Sequence, residues 1–317
     1  MPAFCRPETV TGSGKSQMHD SGTDHLCVRI ADIAIAVNAT DGELRLRVEG
    51  PMRKFLVEEA RPEVTVGAAW GDLAEMDPGG EKVFDSGGSW QLVRNNGHYV
   101  VRCVSPSVGQ IPYKLGYFEP DFTSGTVLLH HPYFPTTEAL YPLDYPLDEL
   151  LMSNLLARGR GVELHACGMV DPAGNGHLFV GQSGAGKTTT ARLWMKQEGV
   201  RILSDDRIVV RRSGGEFRMY GTPWHGEAEI AEAGCARLKQ LYFLRHGEKN
   251  ELAPQRPSDA VGRLFAACFP PFYSAEALGF TLSFLGEIVK AVPCYELGFI
   301  PDESAIHFIL KERRGGA

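Results

Sequence analysis

The chain has 317 residues, 43% of them hydrophobic, enough to bury a large core and better suited to two domains than one. Its 39 acidic against 32 basic residues give a net charge of −7, which argues against a nucleic-acid binder presenting a basic face. No apolar run approaches the roughly 18 residues of a membrane span, residues 1–22 lack signal-peptide order, and Cys5, Cys27, Cys103, Cys167, Cys235, Cys268 and Cys294 form no C-x-x-C pair, so the expectation is a cytoplasmic protein with reduced thiols and no membrane contact.

Residues 1–24, rich in Gly, Ser, Thr and Pro, read as a disordered N-terminus. They contain Gly12-Ser13-Gly14-Lys15-Ser16, which ends like a phosphate loop but has Thr9 where the first glycine should stand and no apolar strand before it. From 25 to 131 the pattern is that of a mostly antiparallel β domain. Cys27–Val37 and Leu44–Val48 read as strands, Trp90–Val93 and His98–Val104 flank an Asn96-Gly97 hairpin turn, and Tyr113–Phe118 and Thr126–His130 follow. His130 and His131 are neighbours on a strand and point to opposite faces, which argues against a shared metal. The aromatic residues from Tyr113 to Phe134 read as core or interface.

A proline-rich stretch, 132–146, reads as a linker, and the second domain is expected over 147–317. Leucines at helical spacing predict a helix over Leu147–Ala157, stopped by Arg158-Gly159-Arg160-Gly161. Val162–Cys167 and His177–Val180 then enclose the turn sequence Asp171-Pro172-Ala173-Gly174-Asn175-Gly176, which predicts a hairpin. That hairpin leads straight into Gly181-Gln182-Ser183-Gly184-Ala185-Gly186-Lys187-Thr188, a full match to G-x-x-x-x-G-K-[ST] with a strand before it and a helix, Thr188–Lys196, after it. The pattern points to a nucleoside triphosphate. Backbone N–H groups of Gly181, Ser183, Gly184, Ala185 and Gly186 would wrap the polyphosphate, Lys187 would reach its outer phosphates, and Thr188 would offer a hydroxyl to Mg²⁺, with Thr189 beside it.

Val200–Ser204 reads as a strand ending in Asp205-Asp206, before Ile208–Val210 resumes. Two acids at a strand end beyond a phosphate loop suit a metal ligand and a base that takes the proton of an attacking hydroxyl. In Tyr220–Glu227, Glu227 could complete the metal shell and His225 could contact phosphate or substrate. The candidate catalytic set is therefore Asp205, Asp206 and Lys187, with His165 on the strand paired to the loop strand, and the candidate metal set is Thr188, Asp205 and Glu227. Farther on, 258–268, 275–292 and 302–311 have helical periodicity, Cys294–Phe299 reads as a strand, and Pro270–Tyr273 as a loop.

Leu164-His165-Ala166-Cys167-Gly168, the turn, the phosphate loop and Leu203-Ser204-Asp205-Asp206 together resemble the catalytic domain of the HPr kinase/phosphorylase family, itself similar in core to ATP-type phosphoenolpyruvate carboxykinase. The resemblance covers about residues 147–230. It implies an α/β (α+β) protein with a P-loop kinase domain, ATP and Mg²⁺ as cofactors, Asp205 or Asp206 as general base, His165 near the reacting phosphate, and the possibility of a homo-oligomer. No clear equivalent of that family's basic, glycine-containing segment follows the acids, so neither HPr as substrate nor the phosphorylase reaction is implied. The expected activity is transfer of the γ-phosphate to a hydroxyl acceptor, such as a serine of a protein or peptide. The alternatives are an ATP-responsive binding module or a simple NTPase.

Overall fold

A computed structural model describes residues 22–315, apart from 59–60, 77, 106–108, 110, 135–138 and 183. The N-terminal stretch with its decoy motif, Cys5 and Ser183 of the phosphate loop lie outside the described residues. The fold is mixed α/β, with two sheets and two compact units that divide between Leu155 and Leu156.

The first unit is built on one sheet. Its strands are β1 (His25–Ile30), β2 (Ile33–Ala39), β3 (Val64–Gly71), β4 (Glu81–Asp85), β5 (Trp90–Asn95), β6 (His98–Cys103), β7 (Lys114–Phe118) and β8 (Ser124–His130), arranged β1-β2-β3-β8-β7-β6-β5-β4. Pairings are antiparallel except β2–β3 and β3–β8. The run Cys27–Val37 is thus two strands of a hairpin. Ala31 and Asp32 turn it with φ of 50° and 60°, a geometry usually flagged by glycine or asparagine, so the sequence carried little signal for it. Asn96 and Gly97 do carry that signal, and both have positive φ between β5 and β6. Leu44–Val48 is not a strand. Leu44, Leu46 and Val48 are buried, and Leu46 makes only isolated bridges to Thr23 and Leu140: the apolar alternation reflects burial of an irregular segment. The stretch read as a linker is bonded into this unit, with Leu140 exchanging hydrogen bonds with Arg45 and Arg47, and Asp144 meeting the buried Lys114. Helix α1 (Leu147–Leu156) ends it. His130 accepts from the Leu73 amide while His131 packs edge-on against Trp70, so the two imidazoles have separate partners.

In the second unit, β9 (Val162–Val170) and β10 (Asn175–Val180) form the expected hairpin. There follow α2 (Lys187–Trp194), β11 (Arg201–Ser204), β12 (Arg207–Ser213), β13 (Glu216–Gly221), β14 (Cys235–His246), β15 (Glu251–Pro254), α3 (Pro257–Phe265), α4 (Ala275–Ala291), β16 (Cys294–Phe299) and α5 (Glu303–Gly315). The sheet runs β10-β9-β12-β13-β14-β16-β15, and β11 pairs with β9. Because β14 also pairs in parallel with β10, the strands from β10 through β14 close on themselves, and the strand feeding the phosphate loop has neighbours on both sides. Alternation along β9 and β10 feeds two cores. Leu164, Ala166, Leu178 and Val180 pack with Leu264 of α3 and Leu285 and Ile288 of α4. Cys167 and Phe179 pack on the other face with Ala191 and Trp194 of α2 and Ile306 of α5. Among the described residues no helix is long and apolar enough to cross a membrane, and six cysteines are free thiols.

Candidate functional site

The phosphate-loop segment leaves β10 after Val180 and becomes helical at Lys187. Gly184 and Gly186 have φ of 81° and 100°, where a side chain is strained. Close approach demands glycine as well: a Cβ would stand 2.6 Å from Ala185 Cβ at Gly181 and 2.6 Å from Phe299 Cζ at Gly186. Lys187 is buried and folds back over the loop, its Nζ donating to the carbonyls of Gly181 (2.8 Å) and Gln182 (3.3 Å). Burial disfavours its charge, and although Asp206 and Asp205 pull the other way, its pKa stays below the ordinary lysine value. Thr188 and Thr189 are half-buried in the first helical turn.

Between β11 and β12 the two acids do different things. Asp205 is 1% exposed, and its carboxylate accepts the amides of Gly226 (3.0 Å), Ala228 (2.9 Å) and Ile230 (3.3 Å). It clamps the turn that carries His225 and Glu227. Gly226 lets the two meet, since a Cβ there would lie 2.9 Å from Asp205 Oδ2. Asp206 instead faces the β9 strand. Its Oδ1 lies 2.8 Å from His165 Nε2 and its Oδ2 pairs with the Arg207 guanidinium. Burial pushes the Asp206 pKa up, but the His165 hydrogen bond and the charges of Arg207 and Lys187 outweigh it and hold the carboxyl below its ordinary value.

Strand β9 joins these parts. Ala166 is paired with Val180, the last residue before the phosphate loop, and on its other side its N–H donates to the Asp206 carbonyl at 2.9 Å. His165 is paired with Arg207. The loop mouth and the acid turn therefore lie two strand spacings apart, about 10 Å, and the charge of Lys187 is felt by Asp206. Alternation places His165 on the same face as Cys167, which packs toward α2.

No family model and no curated protein matches the chain. Among solved structures, it is similar to the HPr(Ser) kinase/phosphatase from Coxiella burnetii at 12% identity, over 48% of this chain and 95% of that chain, with a TM-score of 0.29. That score is too low to carry the neighbour's properties over.

Of the expected residues, His165, Asp206 and Lys187 share one neighbourhood, with Thr188 beginning the helix beside Lys187. Asp205 is adjacent but committed to the 226–230 turn. Glu227 is exposed on that turn, and His225 bonds to the Gly226 carbonyl through Nδ1 (3.0 Å). Among the described residues no group of three or more His, Cys, Asp or Glu side chains is gathered for a metal. The reading from sequence missed Arg207, the second partner of Asp206, and the two residues around its guanidinium, Glu163 and Phe269. Arg207 lies 3.4 Å from the fully buried Glu163 and 4.0 Å from the centre of the Phe269 ring, and Phe269 is held there by its amide bond to the Glu163 carbonyl. Glu163 and His165 stand two apart on β9, which places them on one face, the only local signal available.

Proposed function

We propose that the second unit is an ATP- and Mg²⁺-dependent phosphotransferase that moves the γ-phosphoryl group to a hydroxyl acceptor, in the class of a protein or peptide serine. The observation that carries this reading is the position of Ala166, flanked by the mouth of the phosphate loop on one side and by Asp206 on the other. Loop amides and Lys187 would hold the polyphosphate once Lys187 exchanges its carbonyl partners for phosphate oxygens. The Thr188 hydroxyl and a carboxylate oxygen of the acid turn suit Mg²⁺; Asp205 keeps spare acceptor capacity beside its three amide bonds. When bound, the ion would neutralise charge that develops on the phosphoryl oxygens.

The His165–Asp206 pair supplies the proton acceptor. With Asp206 ionised, His165 Nε2–H donates to Oδ1, which leaves Nδ1 to receive the acceptor's hydroxyl proton. The freed oxygen forms the new bond to the γ-phosphorus, the bond from that phosphorus to the β,γ-bridging oxygen breaks, and ADP leaves with the electron pair. Asp205 serves this chemistry from behind, by fixing the 226–230 turn. The test is incubation with γ-labelled ATP, Mg²⁺ and serine-containing proteins and peptides, in parallel with the Lys187→Ala chain. Label transfer that vanishes in the variant supports the reading. Tight ATP binding with no transfer to any acceptor would replace it with a nucleotide-responsive binding module.

A further inference from the structure

Lys187 and His246 both donate to carbonyl oxygens of the phosphate loop, and they do so from different elements. Lys187 opens α2 and takes the oxygens of Gly181 and Gln182, which it must release to meet a phosphate. His246 ends β14, and its Nε2 stands 2.7 Å from the Gly184 carbonyl oxygen. A carbonyl only accepts, so Nε2 carries the proton and donates it. The imidazole is itself held in place. Strand β14 runs parallel to β10 and continues past the pairing of Val180 with Phe243 to His246, which lies in register with Phe299 of β16. The two rings stack, with centroids 6.2 Å apart and planes inclined by 22°. Phe299 is buried in the core that includes Trp194 of α2 and Ile306 of α5, and its ring also closes against Gly186. A fixed ring therefore aims the donor.

The carbonyl it holds belongs to the least constrained peptide plane of the loop's glycines. Gly184 has a φ of 81°, and a Cβ built there would meet nothing within 4 Å, so neither side-chain bulk nor packing opposes a rotation of the plane that joins it to Ala185. In a trans peptide the Gly184 C=O and the Ala185 N–H point in opposite directions. The Ala185 N–H now donates to the Gln182 carbonyl at 3.0 Å and closes a turn. A flip of the plane would open that turn and bring a second carbonyl oxygen toward the first. An anion cradle works only while N–H groups, and not carbonyl oxygens, face the anion. By occupying the Gly184 oxygen, His246 keeps the plane in the orientation that closes the turn.

The geometry points to His246 as a positioning residue of the phosphate loop: its Nε2–H locks the 184–185 peptide plane, so that the loop is shaped for a polyphosphate before one binds. This assignment rests on the phosphotransferase reading of the loop. Three full-length chains test it. They are the unsubstituted protein, His246→Phe, which keeps a ring to stack on Phe299 but has no donor, and His246→Gln, whose side-chain amide can place an N–H where Nε2 stands. His246 is exposed, so neither change disturbs a core. Binding of ATP and of inorganic tripolyphosphate is measured by calorimetry, with thermal denaturation of the same samples. The expected result is that His246→Phe weakens both ligands alike, by about three- to tenfold, that His246→Gln restores most of the loss, and that all three chains unfold at the same temperature. Undiminished affinity in His246→Phe, equal weakening in His246→Phe and His246→Gln, or a loss of affinity accompanied by a loss of thermal stability overturns the assignment and leaves the loop reading intact. Failure of the unsubstituted chain to bind either ATP or tripolyphosphate removes the loop reading, and the assignment with it.

Discussion

His165 Nε2 lies 2.8 Å from Asp206 Oδ1, and the other oxygen of the same carboxylate is taken by Arg207, so one side chain holds an imidazole on one side and a guanidinium on the other. The imidazole is oriented by a group that is itself oriented. Replacing Asp206 by Asn keeps the shape but removes the charge that fixes the His165 tautomer. Phosphoryl transfer should fall by about 10²- to 10⁴-fold while ATP affinity changes little, as read by single-turnover kinetics beside equilibrium binding.

The same contacts set a pH response. Asp206 is held below its ordinary value, so it stays ionised as pH falls through the range where an unpaired aspartate takes up its proton. Any stability from these contacts is present above the unfolded-state pKa and is lost only as pH falls through the lower folded value. A carbon-13 NMR titration of the Asp206 carboxyl should give a midpoint below 3.8, the ordinary aspartate value. His165→Ala should raise that midpoint.

Glu163 and Arg207 form a pair with one member fully buried, so removing Arg207 takes a cation away from a buried carboxylate. Arg207→Met should destabilise the second unit by about 3–5 kcal/mol, and Arg207→Met combined with Glu163→Gln should recover much of that loss. Activity should stay low in both, because Asp206 has lost its second partner. Urea denaturation with kcat measured on the same samples separates the two effects.

Asp205 serves three amides at once. Asp205→Ala should cost about 2–4 kcal/mol, since the amides of the 226–230 turn lose a charged acceptor. Asp205→Asn, which keeps one acceptor oxygen, should lie between it and the unsubstituted chain in thermal denaturation.

Gly186 is constrained by backbone conformation and by space. Gly186→Ala must place a methyl group at a φ of 100° and against Phe299. Shortening the ring by Phe299→Leu in the same chain relieves only the second problem. Tripolyphosphate binding should be lost in Gly186→Ala and recover partly in the double variant, with about 1–2 kcal/mol still missing from the backbone conformation.

What was legible in the sequence was local. The phosphate loop, the hairpin before it and the acid pair after it each declare themselves within a few residues, because glycines, turn residues and a strand end leave compositional marks. Strand β14 left apolar patterning but no turn beside it. Its start alternates Arg237 and Lys239 with apolar residues, Leu241 to Leu244 form a continuous apolar run before Arg245 and His246 end it, and its pairing with β10 is parallel, so no short turn announces it. Glu163, Arg207 and Phe269 were unreadable for a related reason. Each is unremarkable in its own segment, and the cluster exists only once β12 lies beside β9 and Phe269 returns to bond Glu163. Asp205 and Asp206, adjacent and chemically identical, could not be told apart until their separate partners were known.

The two-sided alternation of β9 makes that strand intolerant of insertion or deletion in a way its ordinary composition hides. Cys167 looks toward the phosphate-loop helix, with His165 on the same face by alternation, while Leu164 and Ala166 look into the opposite core. Loss of a single residue before His165 would swing the imidazole into oil and a leucine toward the acid turn. A frame slip would exchange its chemistry for its packing in one step.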